Sequence, residues 1–339
     1  MNERYSRQIL FAPIGIEGQK KIASKHVLII GAGALGSPNA EMLVRSGIGK
    51  LTIIDRDYVE ASNLQRQLLY TEEDAINKMP KASAAANRLR KVNSDVVINE
   101  MIADATMELL ESIIHDVDLI IDATDNFETR MLINDISQKH QIPWIYGACV
   151  GSYGMSFTII PKKTPCLHCL IKRIPLQGLT CDTGGIISPA AMMTVTHQVT
   201  ESLKILVEDT ENIRQTFVSF DLWKNQYNQM KVTKAYDPTC LSCGEHPTYP
   251  FLQPETMTKT AVLCGRDSVQ VRPSKPLELD LNTLAIQLQN LDYEVKSNPF
   301  LVSAQKEDKR IVFFKDGRAL IHGTKDMVSA KTLYQQLLG

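Results

Sequence analysis

A glycine-rich turn between a strand pattern and a helix pattern constrains the fold of this chain more than any other feature. The stretch VLIIGAGALGSPNAEML, residues 27–43, runs from an apolar segment through Gly31, Gly33 and Gly36 into helical spacing. In this context Gly-x-Gly-x-x-Gly predicts a tight turn that presents backbone N–H groups to an anion at a helix N-terminus. Asp55 closes the next predicted strand, where an acidic residue normally binds a ribose hydroxyl. The pattern therefore predicts a nucleotide site, and the alternative is a turn that only packs helix on strand.

Strand and helix patterns alternate through the first half of the chain. The predicted strands are HVLIIG, LTIID, VVINEM, DLIIDAT and IPWIYGA, and the predicted helices between them are 37–46, 80–92, 107–115 and 129–140. This alternation is typical of a parallel sheet covered on both faces. After residue 150 come closely spaced strand patterns, which we expect to pair antiparallel, and a long helix pattern over about 190–207. The predicted fold class is α/β: a Rossmann-like sheet, parallel in the first half, with antiparallel strands added.

A proline-rich segment predicts a division into a large and a small domain. The segment EHPTYPFLQPETMT, residues 245–258, has three prolines and few periodic apolar residues, which suits a linker. Beyond it, 259–339 predicts a small α+β domain with a helix near 280–291, a hairpin turning at Asp316-Gly317 and a closing helix. The first predicted domain is 1–244.

Composition disfavours several classes of partner. Lys and Arg total 37 against 38 Asp and Glu, so no net positive charge attracts nucleic acid or a membrane surface. The N-terminus MNERYSRQIL lacks the apolar run of a secretory signal, and no stretch approaches the roughly 18 apolar residues of a membrane helix. We therefore expect a soluble, cytoplasmic protein whose seven cysteines serve metal binding or chemistry rather than disulfides.

The loop after the ribose position indicates a polyphosphate ligand. DRDYVEASNLQRQLLY, residues 55–70, contains Asn63, Arg66 and Gln67, and an arginine offers a bidentate fork to phosphate. A dinucleotide enzyme has little use for a cation there. Lys81 lies in the first turn of the next predicted helix, against the helix dipole, which also indicates an external anion. A solvated loop is the alternative.

An acidic strand end and two cysteine pairs indicate metal ions. DLIIDATDN places Asp122, Asp125 and Asn126 at the ligand-facing end of a strand, where a carboxylate can hold Mg²⁺ or the pair can cap a helix. Two Cys-x-x-Cys pairs predict a closed structural zinc site. Its four predicted ligands are Cys166, Cys169, Cys240 and Cys243. Cys181 lies unpaired in the loop GLTCDTGGIISP and is either a reactive thiol or inert.

Together these motifs resemble the MoeB/ThiF family of sulfur-carrier-protein adenylyltransferases, within the ubiquitin-activating-enzyme superfamily. The resemblance runs from RYSRQI at residue 4 to CLSC at residue 243, with DRDYVEASNLQRQ, PKA, ATDN, TPCLHCL and LTC in family order. It implies an enzyme that uses ATP and Mg²⁺ to adenylate the C-terminal glycine of a ubiquitin-like sulfur-carrier protein ending in Gly-Gly, releasing diphosphate. An external sulfur donor then converts the acyl-adenylate to a thiocarboxylate.

The resemblance also implies roles for individual residues. Asp55 holds the ribose, Asp125 holds Mg²⁺, and Arg7 matches an arginine that reaches ATP from the partner subunit of a homodimer. Cys181 matches a cysteine that forms a covalent link to the carrier in some members. The expected catalytic residues are Arg7, Arg66, Lys81, Asp125 and Cys181. The expected nucleotide-binding residues are Gly31, Gly33, Gly36, Asp55, Asp57, Asn63, Arg66, Gln67, Lys81, Asp125 and Asn126.

Several alternatives remain at the level of sequence. The rival functions are an NAD-dependent oxidoreductase, a catalytically silent nucleotide-binding scaffold, and a relative that modifies a tRNA or a peptide. The carrier is either MoaD-type, for molybdopterin and the molybdenum cofactor, or ThiS-type, for thiamine thiazole. General resemblance to MoeB slightly favours the former. Residues 259–339 lack the features of the rhodanese-like domain of some relatives, so their role is carrier docking or stabilisation.

Overall fold

The computed structural model describes residues 3–172, 184–253, 260–263, 268–273, 277–324 and 326–338. Of residues 260–263 it describes the backbone alone. The chain forms two compact units, Met1–Pro254 (unit 1) and Glu255–Gly339 (unit 2), and the boundary lies inside the proline-rich segment. In the described parts of the chain, no helix has both the length and the hydropathy needed to cross a membrane.

An eight-stranded sheet lies at the centre of unit 1, with strand order β3-β2-β1-β4-β5-β6-β7-β8. Its strands are β1 (His26–Ile30), β2 (Lys50–Ile54), β3 (Val97–Met101), β4 (Leu119–Asp122), β5 (Trp144–Val150), β6 (Tyr153–Ile159), β7 (Thr216–Asp221) and β8 (Gln226–Lys231). The first five strands pair in parallel. The last three add antiparallel. Both the parallel half and the antiparallel addition are therefore as predicted.

Helices connect these strands close to the predicted positions. They are α1 (Ser6–Ile9), α2 (Gly15–Ser24), α3 (Gly36–Ser46), α4 (Glu72–Ile76), α5 (Lys81–Val92), α6 (Met107–Ile113), α7 (Phe127–His140), α8 (Leu167–Ile171) and α9 (Ser188–Leu206). Helix α3 ends at Gly47, whose φ of +82° provides the left-handed cap that glycine adopts without strain. Helix α7 begins two residues before the predicted start because Asn126 caps it and accepts a hydrogen bond from the Thr129 N–H.

The strand register brings three loops to one edge of the sheet. Ile30 is level with Ile54 on one side and with Asp122 on the other. The chain leaves β1 toward β2 and returns to place β4 on the opposite side of β1. Loops diverge at such a topological switch point, and ligands of open α/β sheets bind in the crevice outside it. All five residues of β1 are buried, as expected for a central strand covered on both faces.

Unit 2 is built on a separate antiparallel sheet of six strands, in the order β11-β12-β13-β14-β10-β9. Its elements are β9 (Thr260–Leu263), β10 (Ser268–Val271), α10 (Leu281–Asn290), β11 (Glu294–Ser297), β12 (Leu301–Lys306), β13 (Lys309–Phe314), β14 (Ala319–His322) and α11 (Met327–Leu338). A core that includes Leu284, Val302, Phe313 and Ile321 packs the helices on the sheet. The predicted helix and the hairpin at Asp316-Gly317 are present, and Gly317 has a φ of +85°.

Candidate functional site

The glycine turn between β1 and α3 leaves no room for side chains at two of its three glycines. Gly31 has a φ of +98°, and a Cβ there would overlap the carbonyl oxygen of Ala123. A Cβ on Gly36 would overlap the carbonyl oxygen of Gly31. At Gly33 the nearest atom to an added Cβ is Gln67 Nε2, at 3.8 Å. Gly31 and Gly36 therefore allow the backbone to close the turn, and open space remains beside Gly33.

Asp55, at the carboxyl end of β2, is fixed against this turn. Its Oδ2 accepts a hydrogen bond from the Ala32 N–H at 2.6 Å, and its Oδ1 accepts one from the Asp57 N–H at 2.7 Å. Burial raises the pKa of Asp55, the positive charge of Lys81 opposes this, and the negative charge of Asp57 adds to it. The carboxylate is thus held where the ribose of a bound nucleotide is expected.

Lys81 is a buried cation in the first turn of α5, with only 4% of its surface exposed. Its Nζ donates to Asp57 Oδ2 at 3.2 Å, and its backbone N–H donates to the Asp57 carbonyl at 2.9 Å. The Tyr70 hydroxyl lies between Lys81 and the glycine turn, 3.2 Å from the Lys81 carbonyl and 2.6 Å from that of Ala32. The ammonium group of Lys81 is therefore fixed against Asp57, and its positive charge acts on the neighbouring Asp55 carboxyl.

The loop after β2 contributes two buried amides and one arginine. Asn63 Oδ1 accepts from the Glu60 N–H at 3.1 Å, so this side chain closes the loop on itself. Gln67 is buried, and its Oε1 has no hydrogen-bond partner among the described residues. Arg66 donates through Nη1 to the Ser62 carbonyl at 2.8 Å, which leaves further guanidinium N–H groups for an anion.

The turn after β4 presents an exposed carboxylate between two fixed neighbours. Asp122 is fully buried, and its Oδ1 accepts from the N–H and the hydroxyl of Thr124, at 2.9 and 2.7 Å. Asn126 caps α7, as the structural alternative predicted. The Asp125 side chain between them is exposed, with Asn126 Nδ2 3.5 Å from its Oδ1. An exposed carboxylate at this edge is suited to a hydrated Mg²⁺.

The sequence assigned no role to two arginines that lie at this edge, Arg56 and Arg130. Arg56 donates through Nη1 to Asp104 Oδ1 at 2.9 Å, and its Nε lies 4.0 Å from Asp57 Oδ1. The position of Arg56 directly after Asp55 was a signal that could have identified it. Arg130 donates to Asp122, and nothing in the local sequence indicates this, because the contact depends on the packing of α7.

Two of the predicted catalytic residues are not brought to this edge by described contacts. Arg7 is exposed on α1 and makes no hydrogen bond or ion pair within the described ranges, whereas Arg4 Nη1 donates to the Val92 carbonyl at 2.8 Å. Cys181 lies in 173–183, outside the described residues.

The two Cys-x-x-Cys pairs meet in one cluster. The Sγ atoms of Cys166, Cys169, Cys240 and Cys243 all lie within 4.8 Å of one another. Cys166 and Cys240 are 3.7 Å apart, and Cys169 and Cys243 are 3.5 Å apart. A tetrahedron of sulfurs with Zn–S bonds of about 2.3 Å has edges of about 3.8 Å, so the cluster fits a zinc ion.

Helix α7 holds the segment between Cys166 and Cys169 through hydrogen bonds. Asn134 Oδ1 accepts from the Leu167 N–H at 2.8 Å, and Asn134 Nδ2 donates to Asp135 Oδ1 at 3.2 Å. Asp135 Oδ2 accepts from the Phe251 N–H at 2.9 Å. Because all four thiolates are protein ligands and no coordination position remains open, such a zinc ion is structural.

Comparison with known proteins gives one match over the whole chain and others over most of it. The model of the ThiF family matches residues 5–242. The chain is 52% identical over 340 residues to the sulfur carrier protein ThiS adenylyltransferase of Bacillus subtilis (strain 168), covering 100% of both chains. It is 34% identical over 242 residues to the protein of the same name from Escherichia coli (strain K12), covering 71% of this chain and 94% of the other.

A solved structure confirms the fold. The crystal structure of E. coli MccB with ATP has a TM-score of 0.62 and 22% sequence identity, over 72% of this chain and 75% of that one.

Proposed function

The chain belongs to the ThiF family and is an adenylyltransferase, and we propose that its substrate is the C-terminal glycine of a ThiS-type sulfur-carrier protein. The observation that carries this proposal is 52% identity, over the whole of both chains, to a protein named for ThiS adenylylation. A MoaD-type carrier is the alternative substrate, because the residues of the nucleotide site do not distinguish the two. Because the chain is an adenylyltransferase, this assignment argues against an NAD-dependent oxidoreductase and against a catalytically silent nucleotide-binding scaffold.

The proposed reaction joins the carrier's terminal carboxylate to the α-phosphate of ATP and releases diphosphate. The attacking group is already an anion, so no general base is required. The barrier comes from bringing two anions together and from the charge of the leaving diphosphate. Positioning and fixed positive charge lower such barriers.

Unit 1 offers residues for each part of this task. We assign the ribose to Asp55 and the phosphates to Lys81, Arg66, Asn63 and Gln67, beside the turn formed by Gly31, Gly33 and Gly36. The buried Lys81 supports this assignment, because a cation fixed in a low-dielectric site acts on a phosphate more strongly than in water. The remaining proposed nucleotide contacts are Asp57 and Asn126.

The proposal includes a magnesium ion at Asp125, which neutralises phosphate charge when bound. It also includes a homodimer in which Arg7 of one protomer reaches the ATP of the other, and the exposure of Arg7 is compatible with such a contact. Cys181 is proposed to link covalently to the carrier, and the sulfur comes from an external donor.

The test is ATP–diphosphate exchange by the purified protein with Mg²⁺ and either a ThiS-type or a MoaD-type carrier. The matched control is each carrier lacking its last glycine. We expect exchange with the intact ThiS-type carrier and none with the truncated one. Exchange with the MoaD-type carrier alone would reassign the substrate, and the absence of exchange with both would reject carrier adenylation.

A further inference from the structure

A largely buried arginine, Arg130, fixes the turn that carries Asp125, and 13% of its side chain is exposed. We propose that Arg130 is a positioning residue, which holds the turn 122–126 so that the Asp125 carboxylate faces the divalent cation bound with ATP. The inference rests on the proposed role of Asp125, and it adds a residue to which the sequence assigned no role.

The first set of contacts closes the turn on itself. Arg130 Nε donates to Asp122 Oδ2 at 3.0 Å. The other oxygen of Asp122 accepts from the N–H and the hydroxyl of Thr124. The buried carboxylate therefore holds Thr124 directly and is itself held by the guanidinium.

The second set ties the turn to the neighbouring strand. Arg130 Nη2 donates to the Thr124 carbonyl at 2.7 Å and to the Gly147 carbonyl on β5 at 3.2 Å. The guanidinium carbon also lies 5.3 Å from the centre of the Tyr146 ring. Burial lowers the pKa of Arg130, but Asp122 and Tyr146 outweigh this and raise it above its ordinary value, so the group stays charged. One side chain thus joins the β4 turn to β5.

Asp125 depends on these contacts because its own side chain has little support. The residue before it, Thr124, is held by Arg130, and the residue after it, Asn126, is held by the cap of α7. Carboxylates that bind metals are usually oriented by an outer layer of partners, and loss of such partners weakens metal binding. A buried ion pair contributes little net stability compared with apolar packing, so its hydrogen bonds to this turn are better explained by positioning.

The test compares Arg130→Lys with a matched control, Arg214→Lys. A lysine can keep the ion pair with Asp122 but cannot reach both carbonyls. Arg214 is also partly buried in unit 1, where its guanidinium bonds to Ser156 Oγ and His197 Nδ1, at 3.1 and 3.0 Å. Both changes remove hydrogen bonds, but only Arg130 contacts the turn.

The readout is calorimetric titration with Mn²⁺ and ATP, which needs no carrier. We expect Arg130→Lys to weaken Mn²⁺-dependent ATP binding about tenfold, and Arg214→Lys to leave it unchanged at a similar loss of thermal stability. In an Asp125→Asn background, Arg130→Lys should add no further loss, since it acts through Asp125. The inference would be overturned if Arg130→Lys bound ATP with Mn²⁺ as tightly as the wild type does. It would also be overturned if Arg130→Lys weakened this binding as much in the Asp125→Asn background as it does alone.

Two further measurements keep the result interpretable. If Arg130→Lys does not fold, Arg130→Gln takes its place, because its shorter side chain also cannot reach Asp122 and both carbonyls together, and unchanged Mn²⁺-dependent binding would then overturn the inference. Diphosphate exchange is measured in parallel with each carrier. Weakened Mn²⁺-dependent binding in Arg130→Lys, together with no exchange by the wild type, would reject the proposed function and support the role of Arg130.

Discussion

The two units of this chain use sheets of different kinds, and in the described part of unit 1 the loops at one edge of the sheet bring polar groups together. In unit 1 the parallel strands β1, β2 and β4 all end at the same edge, and the chain leaves them through the glycine turn, Asp55 and the 122–126 turn. In unit 2 every described strand pair is antiparallel, so successive strands end at opposite edges. A parallel sheet therefore brings the loops after neighbouring strands to one edge by its topology, whereas the loops of the described antiparallel sheet alternate between its two edges.

The sharpest test of this contrast is the removal of the buried cation at the crevice. Lys81→Ala should lower diphosphate exchange by about 10²–10³-fold, the usual effect of losing one fixed group that stabilises transition-state charge. The control is Lys50→Ala, at the start of β2, where Lys50 pairs with Asp116 on the surface. Equal effects of the two substitutions, measured at saturating carrier, would show that the carboxyl edge has no special role.

The cysteine cluster tests whether unit 1 also depends on a metal for its stability. Cys240→Ser should remove bound zinc and cost about 2–3 kcal/mol, which lowers the melting temperature of a unit of this size by roughly 5–10 °C. Cys149→Ser is the control, because Cys149 lies outside the cluster. Metal analysis and thermal unfolding provide the measurements. A wild-type protein free of zinc whose unfolding is insensitive to chelators would contradict the assignment.

Much of unit 1 could be predicted because its local and long-range signals agree. The glycine turn, the apolar strands and the Cys-x-x-Cys pairs each have a sequence pattern with a definite structural meaning. Arg130 could not be found in this way, because its partners Asp122, Thr124 and Gly147 come together only when α7 packs beside β4 and β5.

In unit 2, one strand could not be predicted from its own sequence pattern, whereas one hairpin could. Strand β11 (Glu294–Ser297) has the sequence EVKS, three of whose four residues are exposed, so it lacks the apolar alternation that marks a half-buried strand. Its pairing with β12 is set by the hairpin rather than by its own side chains. The hairpin at Asp316-Gly317 was predictable because the Asp-Gly turn lies between two apolar runs.

A smaller effect is expected from protonation of Asp55. Because burial raises its pKa, this carboxyl takes up a proton at a higher pH than an ordinary aspartate does. An ionised Asp55 accepts hydrogen bonds from ribose hydroxyls, and such a bond to a charged group contributes about 1.5 kcal/mol or more. The affinity for adenosine, which lacks titrating phosphates, should therefore fall about tenfold as the pH drops through the pKa of Asp55.

Protonation of Asp55 does not itself unfold the protein. A carboxyl whose folded pKa is raised binds its proton more tightly in the folded state, so acidification through that pKa favours folding at this group. Adenosine binding by Asp55→Asn should be weak and nearly independent of pH over the same range. A pH dependence equal to that of the wild type would assign the titration to another group.

The smallest effect is expected from deleting unit 2. All the proposed nucleotide and zinc residues lie in unit 1, and the ThiF family model ends at residue 242. The E. coli relative matches 94% of its own length within 71% of this chain. Removal of residues 255–339 should therefore change diphosphate exchange by less than about threefold, a free-energy difference below about 0.7 kcal/mol. The KM values for ATP and for the carrier are measured separately, because they report on different surfaces. A rise in the carrier KM alone would show that unit 2 takes part in docking, and the two units would then differ in which part of the substrate they recognise.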